Sequence, residues 1–241
     1  MVFQREDGLP VPAVTAEEMR RVDTLAVETF GLGILQMMEH AGRALAEHAL
    51  LLQAGRDGPV VVLAGPGGNG GGGLCCARHL HNRGVPTAVA LDRPVEALRG
   101  PAATQMHALR AAGLQPLDDA DVPHALAAAG VVVDALVGYG LVGPPRGRVA
   151  ELIALAGAVR APILALDVPS GVDATTGEAP GPAIRPTRTV TLALPKTGLA
   201  SVRGDLFLAD IGIPPALYRS VGLEVGPIFG ERWWVPLRRV G

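Results

Sequence analysis

The sequence predicts an α/β protein: a three-layer, Rossmann-like doubly wound fold with a mainly parallel sheet, helices on both faces and an N-terminal helix pair. From residue 59 onward, short Val/Leu/Ile runs alternate with stretches of helical pattern, which favours a parallel sheet with right-handed crossovers. A glycine-rich segment directly follows the first run, as in folds that bind nucleotides beyond the strand ends. At 241 residues the chain fits one domain, so we predict a single domain over residues 1–241.

Two helices are predicted before this alternation begins. Thr15 and Glu18 have the spacing of a capping box, which opens a helix that runs towards Phe30. A second helix is predicted from Ile34 to Leu52, because its apolar residues recur at helical spacing: Leu35, Met38, Ala41, Leu45 and Ala49. A single apolar face of this kind indicates packing against a larger element, which we take to be the sheet.

The other elements follow from apolar runs and turn residues. Strands are predicted at residues 59–64, 87–91, 130–135, 162–166, 189–194 and 205–209, and helices at 74–82, 102–112, 123–129 and 149–159. The Pro/Gly-rich stretch 177–186 is predicted to be a surface excursion. The adjacent Cys75 and Cys76 do not suit an ordinary disulfide, so we interpret them as small core residues of a helix.

Composition argues against two classes of function. The net charge is −2 and aromatic residues make up 3% of the chain, so neither a basic field nor stacking platforms favour nucleic-acid binding. The apolar runs are well short of the ~20 residues that a membrane span needs. Residues 5–7 are charged where a signal peptide would be apolar. We therefore expect a cytoplasmic protein with no nucleic-acid or membrane partner.

The segment Gly65–Gly73 is the first candidate binding site. Glycines let a backbone approach a phosphate closely, and the helix predicted to follow offers free N–H groups at its N-terminus. Gly65, Gly67 and Gly70 also match the dinucleotide pattern G-x-G-x-x-G, and Asp92 closes the next strand where a ribose-binding acid would lie. An NAD(P)-dependent oxidoreductase of Rossmann type is therefore an alternative. A P-loop phosphotransferase would have a lysine directly after the loop. This chain has none there, which argues against that class of enzyme.

Two aspartates and one lysine are the candidates for chemistry. Asp134 and Asp167 each end an apolar run, and a helix cap or turn residue would be the better explanation of either aspartate alone. Together, at the same edge of the sheet as the glycine segment, they favour a site. Lys196 is the only lysine, since the other 20 basic residues are arginine. A buried lysine can exchange a proton near neutral pH, which arginine does not do.

An ordered set of motifs spans nearly the whole chain: Met38-Glu39-His40-Ala41-Gly42, Asn69 in the glycine segment, Asp134 with the loop 138–144, Asp167-Val168-Pro169-Ser170-Gly171, Pro195-Lys196 and Asp210-Ile211-Gly212-Ile213-Pro214. This set resembles the NAD(P)H-hydrate epimerases. The resemblance implies an isomerase of nicotinamide cofactor repair, which interconverts the R and S forms of the hydrated cofactors NADHX and NADPHX. It also implies a separate ADP/ATP-dependent NAD(P)H-hydrate dehydratase as the pathway partner, which consumes one epimer.

The resemblance also assigns site residues by motif. Its nucleotide contacts fall on Gly68, Asn69, Gly70, Gly71 and Gly72, on Gly138, Tyr139, Gly140, Leu141, Val142, Gly143 and Pro144, and on Asp167. Its single K⁺ per subunit falls on Asn69, Asp134 and Ser170. One carboxylate with two neutral oxygens suits a weakly charged hard cation better than Mg²⁺ or Zn²⁺.

The chain departs from the family's glycine pattern at two positions. Where the family reads Gly-Asn-Asn-Gly-Gly-Asp-Gly, this chain has Gly68 for the first Asn and Gly72 for the Asp. Two side-chain contacts to the nucleotide are therefore predicted to be missing, and a divergent or non-catalytic nucleotide-binding protein of the same fold is a further alternative.

Inverting the hydrated ring carbon, by loss and return of its hydroxyl or by proton exchange at the ring, needs an acid and a base. Asp167 and Lys196 are the predicted catalytic pair, with their roles left open. The six histidines are interpreted as packing or surface residues. Arg232-Trp233-Trp234 and Arg238-Arg239 are predicted to form a closing segment packed on the domain, with a homodimer interface as a further possibility.

Overall fold

The computed structural model describes residues 3–240 and confirms the α/β fold class. Its strands are β1 (Phe3–Arg5), β2 (Pro10–Val11), β3 (Val60–Ala64), β4 (Thr87–Leu91), β5 (Val131–Ala135), β6 (Ile163–Leu166), β7 (Arg188–Leu192), β8 (Asp205–Ala209) and β9 (Trp234–Arg239). Its α-helices are α1 (Ala16–Glu28), α2 (Ile34–Gln53), α3 (Gly68–His81), α4 (Gly100–Ala111), α5 (Val122–Ala127), α6 (Gly147–Gly157) and α7 (Pro215–Ser220). Two 3₁₀ turns, Val95–Ala97 and Thr197–Ala200, complete the described elements.

The strands form one sheet in the order β2-β1-β9-β8-β7-β6-β5-β3-β4. Strands β3 to β8 are parallel, and β9, β1 and β2 extend one edge in antiparallel pairing. Strand β4 lies on one side of β3 and β5 on the other, so the direction of winding reverses between β3 and β5. In sheets of this kind, ligands bind in the crevice beyond the carboxyl ends of the strands at the point of reversal.

The core explains why these runs form strands. Every residue of β3 and β5 is buried, as expected of parallel strands that helices cover on both faces. Val60 and Val62 pack with α2, α3 and α4, whereas the alternate residues Val61 and Leu63 pack with α5 and α6. A third cluster joins α1 and α7 to β8. No helix in residues 3–240 is long and apolar enough to cross a membrane.

The six predicted strands are present within two residues of their predicted bounds. The predicted capping box of α1 is also present: the Glu18 backbone N–H donates to Thr15 Oγ1, and the Thr15 N–H donates to the Glu18 carboxylate. The antiparallel strands β1, β2 and β9 and the short helix α7 were not predicted. Strand β9 packs the C-terminal segment on the domain, as expected, while the dimer interface remains a prediction.

The prediction of an irregular segment from Gly65 to Gly73 was wrong in its extent, because α3 begins at Gly68. The glycines permit close packing of this helix. A Cβ on Gly70 would lie 1.7 Å from the Gly65 carbonyl oxygen, and a Cβ on Gly73 would lie 2.5 Å from Ala135 Cβ. Packing against the strand ends thus overrides the low helix propensity of glycine. Cys75 and Cys76 are buried in this helix, as predicted.

Candidate active site

A cavity of about 550 Å³ opens at the carboxyl ends of the parallel strands, where the winding reverses. Its walls come from the β3–α3 turn, the segment after β5, the ends of β6 and β7, and helices α1 and α2. Its polar lining groups are Arg20, Asp23, Asn69, Tyr139 and Asp167, and its apolar wall includes Ile34, Met37, Met38, Leu136 and Ile211. A volume of this size suits a small ligand or one part of a nucleotide.

The N-terminus of α3 forms one wall of the cavity. Gly67 caps the helix in an extended conformation, without a side chain to bond the first free N–H groups. These free N–H groups and the helix dipole favour a phosphate. Of the five predicted contacts from 68 to 72, Gly68, Asn69 and Gly72 line the cavity. Gly70 and Gly71 are buried, so their contribution is to packing.

Asp167 directly follows β6 and has an unusual backbone. Its φ is +66°, in the left-handed region, and its N–H donates to the Val190 carbonyl at 2.8 Å. Non-glycine residues held in this region cluster at functional sites. The strand end and the left-handed turn together place this carboxylate in the cavity wall.

Four donors converge on the Asp167 carboxylate. Oδ1 accepts hydrogen bonds from Thr191 Oγ1 and the Leu192 N–H, both at 3.3 Å, and from Lys196 Nζ. Oδ2 accepts from the Tyr139 N–H at 3.3 Å. An ionised carboxylate only accepts hydrogen bonds, so this set of donors suits the charged form.

Lys196 lies behind Asp167. Its side chain is 1% exposed, and Nζ donates to Asp167 Oδ1 and, at 2.9 Å, to the Leu192 carbonyl. Among the described residues that line the cavity, Asp167 is present and Lys196 is not. The structure therefore brings the two predicted catalytic residues together, with the carboxylate facing the cavity and the ammonium supporting it.

Sequence reasoning missed Asp23. It lies on α1, lines the cavity, and accepts a hydrogen bond from the Tyr139 hydroxyl at Oδ2. Burial raises the pKa of Asp23, and the hydrogen bond from Tyr139 and the charge of Lys196 oppose that rise. A signal was present in the sequence: Asp23 falls four residues after Met19 and three before Ala26, on the buried face of α1.

Asp134 and Ser170 form a second buried pair beside the cavity. Ser170 donates to Asp134 through Oγ at 2.5 Å and through its backbone N–H at 2.8 Å. Burial raises the pKa of Asp134 to about 6, against these hydrogen bonds. The Val137 N–H in turn donates to Ser170 Oγ at 2.9 Å, which joins the pair to the segment that lines the cavity.

Asn69, the third residue of the predicted cation set, lies on α3. The position that a Cβ on Gly138 would take is 3.0 Å from Asn69 Oδ1 and 3.2 Å from Asp167 Oδ2, so Asn69 and Asp167 both lie close to Gly138 in the cavity wall. The Asn69 Nδ2 atom is buried without a hydrogen-bond partner among the described residues. One carboxylate, one hydroxyl and one amide oxygen fit a hard cation of low charge.

The loop 138–144 divides between two cavities. Gly138, Tyr139 and Gly140 line the cavity that holds Asp167. Leu141, Val142, Gly143 and Pro144 line an adjoining cavity of about 580 Å³, which shares Val137 and Gly140 with the first. The predicted nucleotide contacts of this loop thus extend over a space larger than a single ring needs.

A further group of potential metal ligands lies outside the cavity. Glu39, Cys75 and His79 come within 4.8 Å of one another. Arg78 enters the same group, where it donates to Glu39 at 2.5 Å and to Cys75 Sγ at 3.4 Å. Burial raises the pKa of the Cys75 thiol to about 12. A guanidinium and a protonated thiol make this group a poor cation site.

Comparison with known proteins identifies the family of this chain. A family model described as YjeF-related protein N-terminus matches residues 34–198, which contain α3, Asp134, Asp167 and Lys196. The chain belongs to this family. The NAD(P)H-hydrate epimerase of Dehalogenimonas lykanthroporepellens is 47% identical over 226 residues, which cover 92% of this chain and 91% of that protein. The bifunctional NAD(P)H-hydrate repair enzyme Nnr of Hyperthermus butylicus is 40% identical over 87% of this chain, which spans only 40% of that longer protein.

Among solved structures, the crystal structure of the yeast protein YNL200c is similar, with a TM-score of 0.80 and 26% sequence identity. The match covers 94% of this chain and all of the yeast chain. The likeness therefore extends beyond the segment that the family model matches.

The two departures from the family's glycine pattern should differ in their effects. A Cβ on Gly68 would meet only Met38 Cε, at 3.8 Å, whereas a Cβ on Gly72 would lie 2.8 Å from Leu166 Cδ2. We expect Gly68→Asn to fold normally and to tighten NADPH binding about two- to tenfold, the range that one added hydrogen bond gives. We expect Gly72→Asp to be destabilised, and Leu166→Ala in the same chain to relieve the clash.

Denaturant unfolding and NADPH titration of the matched pair Gly68→Asn and Gly72→Asp measure both effects. Equal stability of the two variants would contradict the role assigned to Leu166.

Proposed function

We propose that this protein epimerises the R and S forms of NADHX and NADPHX, the hydrated nicotinamide cofactors. The observation that carries the proposal is the Asp167 carboxylate in the wall of a cavity whose adjoining wall is the N-terminus of α3. That pair offers a proton acceptor beside a phosphate-binding helix end. The names of the relatives support this reaction. The direct test is whether the purified protein exchanges the epimers faster than they exchange spontaneously.

Different walls of the cavity suit different parts of the cofactor. The free N–H groups of α3 suit the phosphates of the cofactor. The apolar side chains of α2, which include Met37 and Met38, offer a surface for a ring. The guanidinium of Arg20 lies at the rim on α1. These groups hold the hydrated ring where Asp167 can reach its substituted carbon.

Asp167 is the group that moves a proton in this proposal. If the hydroxyl of the ring carbon leaves as water, the water that returns to the other face must give up a proton, and an ionised carboxylate accepts it. If inversion proceeds by proton exchange at the ring, the same carboxylate is the base. Lys196 orients the Asp167 carboxylate through its hydrogen bond to Oδ1 but lines no part of the cavity. We therefore assign Lys196 a positioning role.

The oxidoreductase alternative depended on Asp92 as a ribose-binding acid at the binding site. The Asp92 carboxylate accepts hydrogen bonds from Arg93, with Nη2 to Oδ2 at 2.9 Å, and it does not line the cavity. Its local ion pair accounts for an aspartate at that strand end. The relatives' names likewise support epimerisation, and we extend the proposal to an ADP/ATP-dependent NAD(P)H-hydrate dehydratase that consumes the resulting epimer.

We further propose that Asn69, Asp134 and Ser170 hold one K⁺, which would offset phosphate charge in the bound nucleotide. We expect NADPH affinity to rise several-fold when KCl replaces tetramethylammonium chloride at equal ionic strength. Asp134→Asn should abolish that dependence, because it removes the only carboxylate of the set. Asparagine is the substitution to use, since it keeps the shape of the side chain and its amide oxygen still accepts one of the two hydrogen bonds from Ser170.

Nucleotide titration in the two salts measures the effect, with denaturant unfolding of Asp134→Asn as the check on folding. Equal affinity of the wild-type protein in both salts would rule out the cation site.

A further inference from the structure

Helix α1 is fixed over the cavity by contacts at its N-terminus. The Val14 N–H donates to the Pro195 carbonyl, and the Thr197 N–H donates to the Val14 carbonyl, both at 2.9 Å. The Ala16 N–H donates to Thr175 Oγ1 at 3.1 Å. The chain entering α1 is therefore bonded on both sides of Lys196, and the position of the helix is tied to the Asp167–Lys196 pair.

This docking brings the Asp23 carboxyl into the cavity wall. The Tyr139 hydroxyl donates to Asp23 Oδ2, and no described protein donor reaches Asp23 Oδ1. The Tyr139 backbone N–H donates to Asp167 at 3.3 Å, so one tyrosine touches both carboxyls. The two acids thus contact opposite ends of one residue, and both line the same cavity, Asp23 from α1 and Asp167 from the end of β6.

We propose that Asp23 is the second acid/base residue of this site: it faces the substrate from α1 while Asp167 faces it from the end of β6, and Tyr139 holds the Asp23 carboxyl in place. The inference rests on the proposed epimerase function. Two separated carboxyls that share one cavity leave room for a reacting ring carbon and a water between them, as in enzymes that invert a sugar centre.

The two carboxyls have opposite surroundings. Asp167 pairs with a buried ammonium and accepts four hydrogen bonds. Asp23 has one donor, and burial is the largest influence on its pKa, which it raises. The other ionisable groups around Asp23 are Lys196, Arg20 on its own helix, and the Tyr218 hydroxyl on α7. The many donors on Asp167 suit the role of base, and the single donor on the buried Asp23 suits the role of acid.

In the hydroxyl route, two residues of this chain then supply and accept the protons. The Asp23 proton goes to the departing oxygen as the C–O bond breaks and water leaves, while the lone pair of the ring nitrogen forms a C=N bond to the same carbon. Water adds to the opposite face of that carbon, the new C–O bond returns the electron pair to nitrogen, and Asp167 takes the released proton. Proton exchange with solvent then returns a proton to Asp23 and removes one from Asp167. In the reverse reaction Asp167 is the acid and Asp23 is the base.

The test is steady-state epimer exchange of NADPHX by Asp23→Asn, with Glu28→Gln as the matched control. Glu28 is an exposed acid on the same helix, outside the cavity. We expect Asp23→Asn to lower kcat about 100-fold or more, the usual contribution of an acid/base group, with KM changed less than about threefold. Wild-type kcat should fall as pH rises through the raised pKa of Asp23, and Asp23→Asn should lose that limb.

The outcomes separate the two proposals. If wild-type protein shows no exchange, the proposed function fails whatever Asp23 does. If wild type and Glu28→Gln exchange the epimers and Asp23→Asn keeps both kcat and the pH limb, the role of Asp23 is overturned and the epimerase stands. Should Asp23→Asn not fold, Asp23→Glu decides: it keeps the acid but moves it by one methylene, so an unchanged kcat and pH profile would also overturn the proposal.

Discussion

Replacing Lys196 by methionine is expected to lower the free energy of unfolding by about 3–5 kcal/mol and to remove nearly all epimerase activity. Lys196 and Asp167 are both buried, and the ammonium is the only cation bonded to that carboxylate within residues 3–240. Methionine fills the space of the lysine stem but leaves a buried charge without its partner. Loss of activity follows because the Asp167 carboxylate then lacks the hydrogen bond that orients it.

Denaturant unfolding at neutral pH and the exchange assay measure both effects. Arg203→Met is the matched control, since Arg203 is an exposed cation. The double variant Asp167→Asn/Lys196→Met should recover part of the lost stability without activity, because it removes both charges. Lys196→Arg should also lose activity, since a planar guanidinium does not fit a space built around one ammonium. If Lys196→Met is as stable and active as Arg203→Met, the buried pair is unimportant.

Asp167→Asn is expected to lower kcat by about 10²- to 10⁴-fold. Asparagine keeps the shape of the side chain and tolerates the left-handed backbone at φ +66°, so the variant should keep the native fold. Its free energy of unfolding should fall, as with Lys196→Met, because the buried Lys196 ammonium then lacks its anion. NADPH affinity should stay within a few-fold of wild type, since the α3 N-terminus is unchanged. The variant therefore separates chemistry from binding.

The kcat and the NADPH dissociation constant of Asp167→Asn test this expectation, with the exposed Asp118→Asn as the control. A variant that binds NADPH and keeps more than about half of the wild-type kcat would remove Asp167 from the chemistry.

The parallel part of the fold was predictable because its signal is local. Runs such as Val60–Ala64 and Val131–Ala135 are buried on both faces, so each is continuously apolar in the sequence. Strand β2 has two residues and β1 three, which is too short for a periodic pattern. Strand β9 contains Pro236, Arg238 and Arg239, and it forms because β8 and β1 offer free edges.

The candidate site was likewise predictable only in part. Asp167 and Lys196 were predictable as a pair because parallel strands end at one edge of the sheet. The start of α3 at Gly68 was not predictable, because the glycines obtain their helical conformation from packing against Gly65 and Ala135. The sequence places Asp23 on the buried face of α1, but its place in the cavity was not predictable. That place depends on the bridge between Val14 and Lys196, which are far apart in the sequence.

The most direct test of the account is the rate at which purified wild-type protein interconverts the separated epimers of NADPHX, followed by chromatography at neutral pH in KCl. We expect exchange well above the spontaneous rate, and exchange close to the spontaneous rate with Asp167→Asn at the same concentration. Folded wild-type protein that binds NADPH but leaves both NADPHX and NADHX epimers at their spontaneous rate of exchange would contradict the account.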